Sequence, residues 1–239
     1  TSKKATEDYL LKLSIPSIIL RPSLVYGRGS YGGTSLFRGL SGLPLIIPVP
    51  GTGQQEFQPI HLEDLSKAIL NLVNKQVSQN IILSAVSDEK INLREILTKL
   101  RAWLGFSKAK IINIPLQLIR MATLIGDFIP YSAMNTTAYK MLSQNNITTT
   151  EEVKRFQDEI GFAPQNFTKG VFRQPSSVQD RWHAKLFSLK PLLQFSIAFV
   201  WIFSAICSAW IYPKELSFVL LAKMGVNQFW QPILLYGSS

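Results

Sequence analysis

Ser17-Ile18-Ile19-Leu20-Arg21-Pro22-Ser23-Leu24-Val25-Tyr26-Gly27-Arg28-Gly29 is the stretch on which the fold turns. Its first four residues are a short apolar, β-branched run that reads as a buried strand. Arg21-Pro22 is expected to end it, because proline gives no amide hydrogen to a ladder and restricts the residue before it. Tyr26, Gly27 and Gly29 then make a loop where the backbone can turn sharply or approach a ligand. Open α/β sheets hold ligands where a buried parallel strand runs into such a loop. Taken alone, the stretch reads as a core strand and an ordinary turn. The residues on either side shift that reading.

Upstream, Lys3 to Leu13 has helical periodicity, with Ala5, Tyr9, Leu10 and Leu13 near one face. Downstream, residues 30–50 are rich in Gly and Pro, and Thr34 or Ser35 could cap a short helix through Leu40. Gly51-Thr52-Gly53 is a turn, followed by the extended Gln54 to Leu62 and by Asp64 near a helix start. The order then reads helix (Leu65–Val73), strand (Asn80–Ala85), helix (Leu93–Leu104), strand (Lys110–Pro115), helix (Leu116–Ile125) and helix (Asn135–Leu142). A last helix opens at Thr149-Thr150-Glu151-Glu152 and closes at Gly161. Asn92 with Glu95 forms a capping-box pattern, and Gly105 and Gly161 serve as stops.

Ser2-Lys3-Lys4-Ala5-Thr6-Glu7, and then Ile18 to Gly27, resemble the second half of an extended or atypical short-chain dehydrogenase/reductase, the NAD-dependent epimerase/dehydratase group. Gly51 to Asp64, and the closing Gly161-Phe162-Ala163-Pro164 with Phe167 to Val171, are similar to later signatures of that group. The resemblance runs over residues 1–172. It implies an α/β fold, the C-terminal half of a Rossmann-type NAD(P)-binding domain with its substrate subdomain. Lys3 then takes the lysine role of a Tyr-x-x-x-Lys pair whose tyrosine falls upstream of residue 1. Residues four apart share a helix face, and an ammonium there lowers the phenol pKa for proton exchange with a carbinol. Lys3 would also contact the nicotinamide ribose. Without the resemblance, Lys3 reads as a solvated lysine at a frayed terminus. Arg21, Pro22 and Ser23 would line the cofactor, which is NAD or NADP. Tyr26, Gly27, Phe57 and His61 would face a small-molecule substrate.

Phe57 departs from the pattern. Members that bind nucleotide sugars usually carry Arg at that place to pair with the diphosphate, and phenylalanine makes no such contact. The departure disfavours a nucleotide-sugar substrate and favours a more apolar carbonyl or carbinol compound, lipid-like or quinone-like. Asp64 also fits a plain helix-start role, and His61 a satisfied structural role. The fingerprint Gly-x-x-Gly-x-x-Gly does not occur in the 239 residues, and the chain opens mid-pattern with Thr1-Ser2-Lys3-Lys4, without a starting Met. Both features suggest a piece of a longer chain, one that by itself binds NAD(P) poorly and is inactive.

Residues 173–190 change character, with Arg173, Arg181, Lys185 and Lys190 against Asp180 alone, and read as a basic juxtamembrane linker. Leu192–Tyr212 carries no charge, and about 20 apolar residues suffice to cross a bilayer. Trp210 and Tyr212 would anchor its far interface. The cations before the span place residues 1–190 on the cytoplasmic side and can meet anionic lipid headgroups. Residues 191–239 form a membrane segment. Leu216–Met224 is a short amphipathic stretch within it, and a second apolar helix begins near Gln231. This tail resembles the start of a DoxX-like membrane domain.

The net charge of +10 suggests an anionic partner. No interleaved aromatic-basic platform is visible, so a lipid bilayer fits better than nucleic acid. A single cysteine, Cys207, excludes an intrachain disulfide, and two histidines without a cysteine cluster argue against a zinc site. The expected activity is membrane-tethered, NAD(P)-dependent oxidoreduction or epimerisation. The alternatives are a non-catalytic, cofactor-binding scaffold subunit and an NAD(P)-sensing regulator.

Overall fold

In the computed structural model the strand predicted at residues 17–20 is present and longer. It runs from Ile18 to Pro22 (β1) and pairs in parallel with Ile81–Ala85 (β6), Ile18 opposite Ile81 and Pro22 opposite Ala85. Arg21 and Pro22 therefore continue the strand instead of ending it. A strand with one ladder partner, as β1 has among the described residues, tolerates a residue without an amide hydrogen. Its side chains are half-buried or exposed, where full burial was expected. The structure describes all residues except 1, 14, 30–32, 76, 128–135, 188, 208–210, 212 and 238–239. It divides into two units, Thr1–Phe187 and Ser188–Ser239.

Three more strand pairs build the first unit. Val25–Tyr26 (β2) lies parallel to Ile60–His61 (β5), and Ile46–Pro50 (β3) lies parallel to Lys110–Ile114 (β8). Glu56–Phe57 (β4) lies antiparallel to Ile91–Asn92 (β7). Parallel partners need long crossovers, and helices supply them here: Gly33–Gly42 (α2), Leu62–Val73 (α3) and Leu93–Trp103 (α4). The architecture is mixed α/β. One core cluster gathers Leu36, Phe37, Val49, Phe57, Leu93, Ile96 and Leu97, and a second gathers Ile60, Leu72, Leu83, Phe156 and Ile160.

Several local signals hold. Asn92 caps α4, its Oδ1 accepting from the Glu95 amide at 2.9 Å, while its Nδ2 donates to Glu95 Oε1 at 2.8 Å. Thr150–Ile160 (α7) starts at Thr149, whose Oγ1 accepts from the Glu152 amide, and it stops at Gly161 with φ 77°. That left-handed conformation is one glycine adopts without a Cβ penalty.

Other signals are corrected. The first helix (α1) is Ser2–Leu10, shorter than predicted, and Tyr9 and Leu10 on its expected inner face are exposed. Thr34 and Ser35 lie inside α2 and do not cap a helix from outside it. Leu116–Gly126 (α5) and Thr136–Ser143 (α6) follow β8, while Asn135, predicted to open the latter, lies outside the described residues. Residues 173–187 are not a separate linker. After Phe167–Phe172 (α8), the helix Val178–Phe187 (α9) packs on α2 within the first unit and buries Asp180 and Ala184. Gly42 permits this packing, because a Cβ there would stand 2.8 Å from the Ala184 backbone.

The second unit holds Leu189–Ile206 (α10), Lys214–Lys223 (α11) and Gln231–Gly237 (α12), the last where the second apolar helix was predicted. Phe195, Ile197, Phe199, Val200, Trp201, Ile202 and Phe203 all stand exposed on α10. Leu216, Phe218, Val219, Leu220 and Leu221 surround α11 instead of forming the expected amphipathic face. Among the described residues no single helix is long and apolar enough to cross a membrane. Val178–Phe187 and Leu192–Ile206 reach that length and composition only when taken together. The first of these has its buried face committed to α2. Trp210 and Tyr212, predicted as interface anchors, lie outside the described residues.

Candidate functional site

β2 and β5 end side by side, Tyr26 opposite His61, and both chains leave the ladder at the same end. β2 leads into the loop Gly27-Arg28-Gly29, and β5 leads directly into α3. Between them and the residues around α8 lies a cavity of about 150 Å³. Its apolar wall includes Leu24, Phe37, Ile96, Leu100, Phe167 and Val171, and its polar lining includes Tyr26, Arg28, His61 and Gln174.

Tyr26 is buried. Its ring stands edge-on to His61 at 5.1 Å and tilted against Phe167 at 4.7 Å, and its Oη donates to the Asn166 carbonyl at 3.2 Å. Burial first, then the nearby carboxylates of Asp64 and Glu89, raises its pKa well above the ordinary phenol value. It therefore sits in the cavity as a neutral phenol. Gly170 makes room for it, because a Cβ at that position would fall 2.0 Å from the Tyr26 oxygen.

His61 is the N-cap of α3. Its Nδ1 accepts from the Glu63 amide at 3.3 Å, so the cap requires an unprotonated Nδ1. The structural role foreseen for His61 thus coexists with a place in the lining. Asp64 does not cap the helix, because its Oδ2 accepts instead from the Gln165 amide at 2.9 Å. Burial lowers the His61 pKa, against the opposing pull of Glu63 and Asp64, and Arg173 lowers it further. The unfolded imidazole therefore takes up its proton first as pH falls below about 6.5. The unfolded state then binds more protons, and stability falls with pH. The His61→Asn variant keeps a capping oxygen and removes the titration. Comparing urea midpoints at pH 7.5 and pH 5.5 should show a smaller acid loss for the variant than for the wild type. Equal losses would contradict this role for His61.

A buried arginine holds the loop. Arg38 of α2 donates through Nη1 to the Arg28 carbonyl at 3.0 Å and through Nη2 to the Gly27 carbonyl. The same Nη1 donates to Asp180 Oδ1 of α9 at 2.9 Å, and the guanidinium stands 4.9 Å over the Trp103 ring. Asp180 Oδ2 accepts from the Ser177 amide at 2.8 Å and from its hydroxyl at 2.7 Å, while the Asp180 amide donates back to Ser177 Oγ at 3.2 Å. This is a reciprocal capping box at the start of α9. At the rim, Arg173 Nη1 pairs with Glu63 Oε2 at 2.6 Å.

Of the residues predicted for the site, Tyr26, Gly27 and His61 meet at the cavity. The others do not. Lys3 is exposed on α1. Arg21 pairs through its guanidinium with Glu7, tying β1 to α1, and Pro22 is a ladder residue opposite Ala85. The Ser23 hydroxyl donates to the Asn146 carbonyl at 3.0 Å. Phe57 is only 1% exposed, packs against Phe37 in the core, and is not part of the lining. Sequence reasoning missed Arg38, Trp103 and Asp180. For the last, the Ser177-x-x-Asp180 spacing was a readable capping signal.

The fold resembles that of solved epimerases and dehydratases. The dTDP-glucose 4,6-dehydratase DesIV of Streptomyces venezuelae, determined with NAD and TYD bound, matches at 16% identity and TM-score 0.50, covering 76% of this chain and 48% of that one. An epimerase of Methanothermobacter thermautotrophicus matches at 13% identity and TM-score 0.50, covering 78% and 48%. A dTDP-glucose 4,6-dehydratase of Bacillus anthracis in complex with NAD has 17% identity, TM-score 0.48, and coverage of 72% and 49%. The chain spans about half the length of these structures. No curated protein matches its sequence. Residues 198–239 match the model of the DoxX-like family. The chain therefore joins the fold seen in solved epimerase and dehydratase structures to a segment, residues 198–239, that matches the model of the DoxX-like family.

Proposed function

We propose that residues 1–187 are the substrate-side half of a short-chain dehydrogenase/reductase-type, NAD(P)-dependent oxidoreductase or epimerase tethered to a membrane. The observation that carries this is the meeting of Tyr26, Gly27 and His61 at the ends of adjacent parallel strands, around one largely apolar cavity. Open α/β sheets bind ligands at such strand ends. An apolar carbonyl or carbinol compound fits that lining better than a nucleotide sugar.

The residues present do not by themselves form a dinucleotide cradle. The Arg21 guanidinium is engaged by Glu7 and the Ser23 hydroxyl by Asn146, while Lys3, exposed on α1, has no partner among the described residues. In this reading the phosphate-binding turn and the tyrosine partner of Lys3 are not among these residues. No proton passes through Tyr26 in it, since that phenol is held protonated against Asn166. The tether rests on the exposed, uncharged apolar residues of α10 from Leu192 onward and on the DoxX-like match over residues 198–239. The cations Arg173, Arg181, Lys185 and Lys190 favour a cytoplasmic first unit.

The same commitments of Arg21 and Ser23 favour a second reading, a cofactor-binding scaffold or NAD(P)-sensing regulator without catalysis. Turnover decides between them. The full-length protein in native membranes should oxidise NADH or NADPH with apolar carbonyl compounds, and Lys3→Met should lower that rate about a hundredfold or more. An unaltered rate in Lys3→Met, or no oxidation with any acceptor, would reject the enzyme reading.

A further inference from the structure

We propose that the cavity takes a small monoanionic amphiphile, a carboxylate on a monocyclic or short-chain apolar body, with Arg28 receiving the carboxylate. The proposal rests on the substrate-side reading above and narrows it.

Size is the first argument. The cavity measures about 150 Å³. A cavity of roughly that volume lined by Leu, Ile and Phe holds a benzene ring. The volume sets the size of the part of a ligand that this cavity buries. The interior wall of Leu24, Phe37, Ile96, Leu100 and Val171 offers a ring or a short chain dispersion contact and no hydrogen bonds.

Charge is the second argument. Three arginines line the cavity, Arg28, Arg38 and Arg173. Arg38 is neutralised by Asp180 and Arg173 by Glu63. Arg28 makes no ion pair among the described residues, and Glu63, already paired, is the one carboxylate in the lining. Tyr26 adds no negative charge. Arg28 is therefore the lining cation without a carboxylate partner among the described residues, and it is the group placed to receive an anion. The planar fork of arginine suits a carboxylate, which can accept two parallel bonds. The Arg28 backbone is held in place by Arg38 through its carbonyl, so the side chain projects from a fixed base.

The probe is 4-fluorobenzoate, followed by the broadening of its fluorine resonance on addition of the full chain in lipid nanodiscs. Broadening should appear and be reversed by benzoate, but not by benzyl alcohol or UDP-glucose. Arg28→Gln, an exposed substitution, should weaken binding about tenfold or more. Val171→Phe, which fills the cavity, should abolish it, and Arg120→Gln on the exposed side of α5 should leave it unchanged. No broadening, equal affinity in Arg28→Gln, or displacement by UDP-glucose would overturn the proposal. The readout needs no nicotinamide. Fluorobenzoate binding without hydride transfer in the full-length protein would therefore sink the enzyme reading alone, and turnover of neutral carbonyls without fluorobenzoate binding would sink this proposal alone.

Discussion

Asp180→Ala should unfold the first unit at a temperature lower by roughly 10 °C, through a loss of about 3–5 kcal/mol. The magnitude follows from what the substitution leaves behind. Arg38 and Asp180 are 5% and 7% exposed, so the pair is out of water on both sides. Removing the carboxylate strands a buried guanidinium, whose pKa burial already pulls below its ordinary value against the support of Asp180. It also removes the acceptor that closes the capping box with Ser177. Asp180→Asn keeps the shape and part of the box and should cost less. The double variant Arg38→Met/Asp180→Leu should recover much of the loss, because replacing both members of a buried pair by apolar groups is often neutral. Its recovery should be incomplete, since the carbonyls of Gly27 and Arg28 lose their donor. Thermal melts of the four proteins followed by near-ultraviolet circular dichroism give the comparison. Equal melting of Asp180→Ala and wild type would mean that the pair does not hold α9 to α2.

The contrast between local and distant signals explains what could be read beforehand. Asn92 with Glu95, Thr149 with Glu152, and Gly161 act within one turn of chain, so their residue types and spacing carry the outcome. The Arg38–Asp180 pair joins residues 142 positions apart, and no spacing announces it. Glycine composition misleads for a related reason. Gly42 reads as a loop residue beyond a helix ending at Leu40, but it lies in α2, where a Cβ would collide with Ala184. A glycine needed for close helix packing and one needed for a turn look alike in a sequence. Pro22 ended the strand on paper because proline forfeits one ladder bond, and an edge strand can forfeit it without loss. At the site, Tyr26 and Gly27 were legible because they follow a strand, whereas Trp103 reaches the cavity from α4 by tertiary packing.

Phe57 is where sequence and structure diverge most in consequence. By resemblance it stands where nucleotide-sugar enzymes carry an arginine, and so it was expected to face substrate. In the structure its ring is in the core, 6.1 Å from Phe37 in an edge-on contact, and β4 pairs its backbone with Ile91. Two-residue strands such as β4 give no alternation from which to read the inward side. Phe57→Arg should therefore not create a diphosphate site. It should place a cation in the apolar core cluster that includes Leu93, Ile96 and Leu97. Deleting the ring alone, as Phe57→Ala, costs about 3–5 kcal/mol. The arginine adds the desolvation of a charge and should cost more, enough to leave the first unit largely unfolded. Phe57→Leu keeps most of the apolar volume and should fold. Urea titrations of the three variants, with UDP-glucose binding measured on any that fold, test this directly. A folded Phe57→Arg protein that binds UDP-glucose would show that the side chain reaches a ligand after all. It would return the nucleotide sugars to the candidates for this cavity.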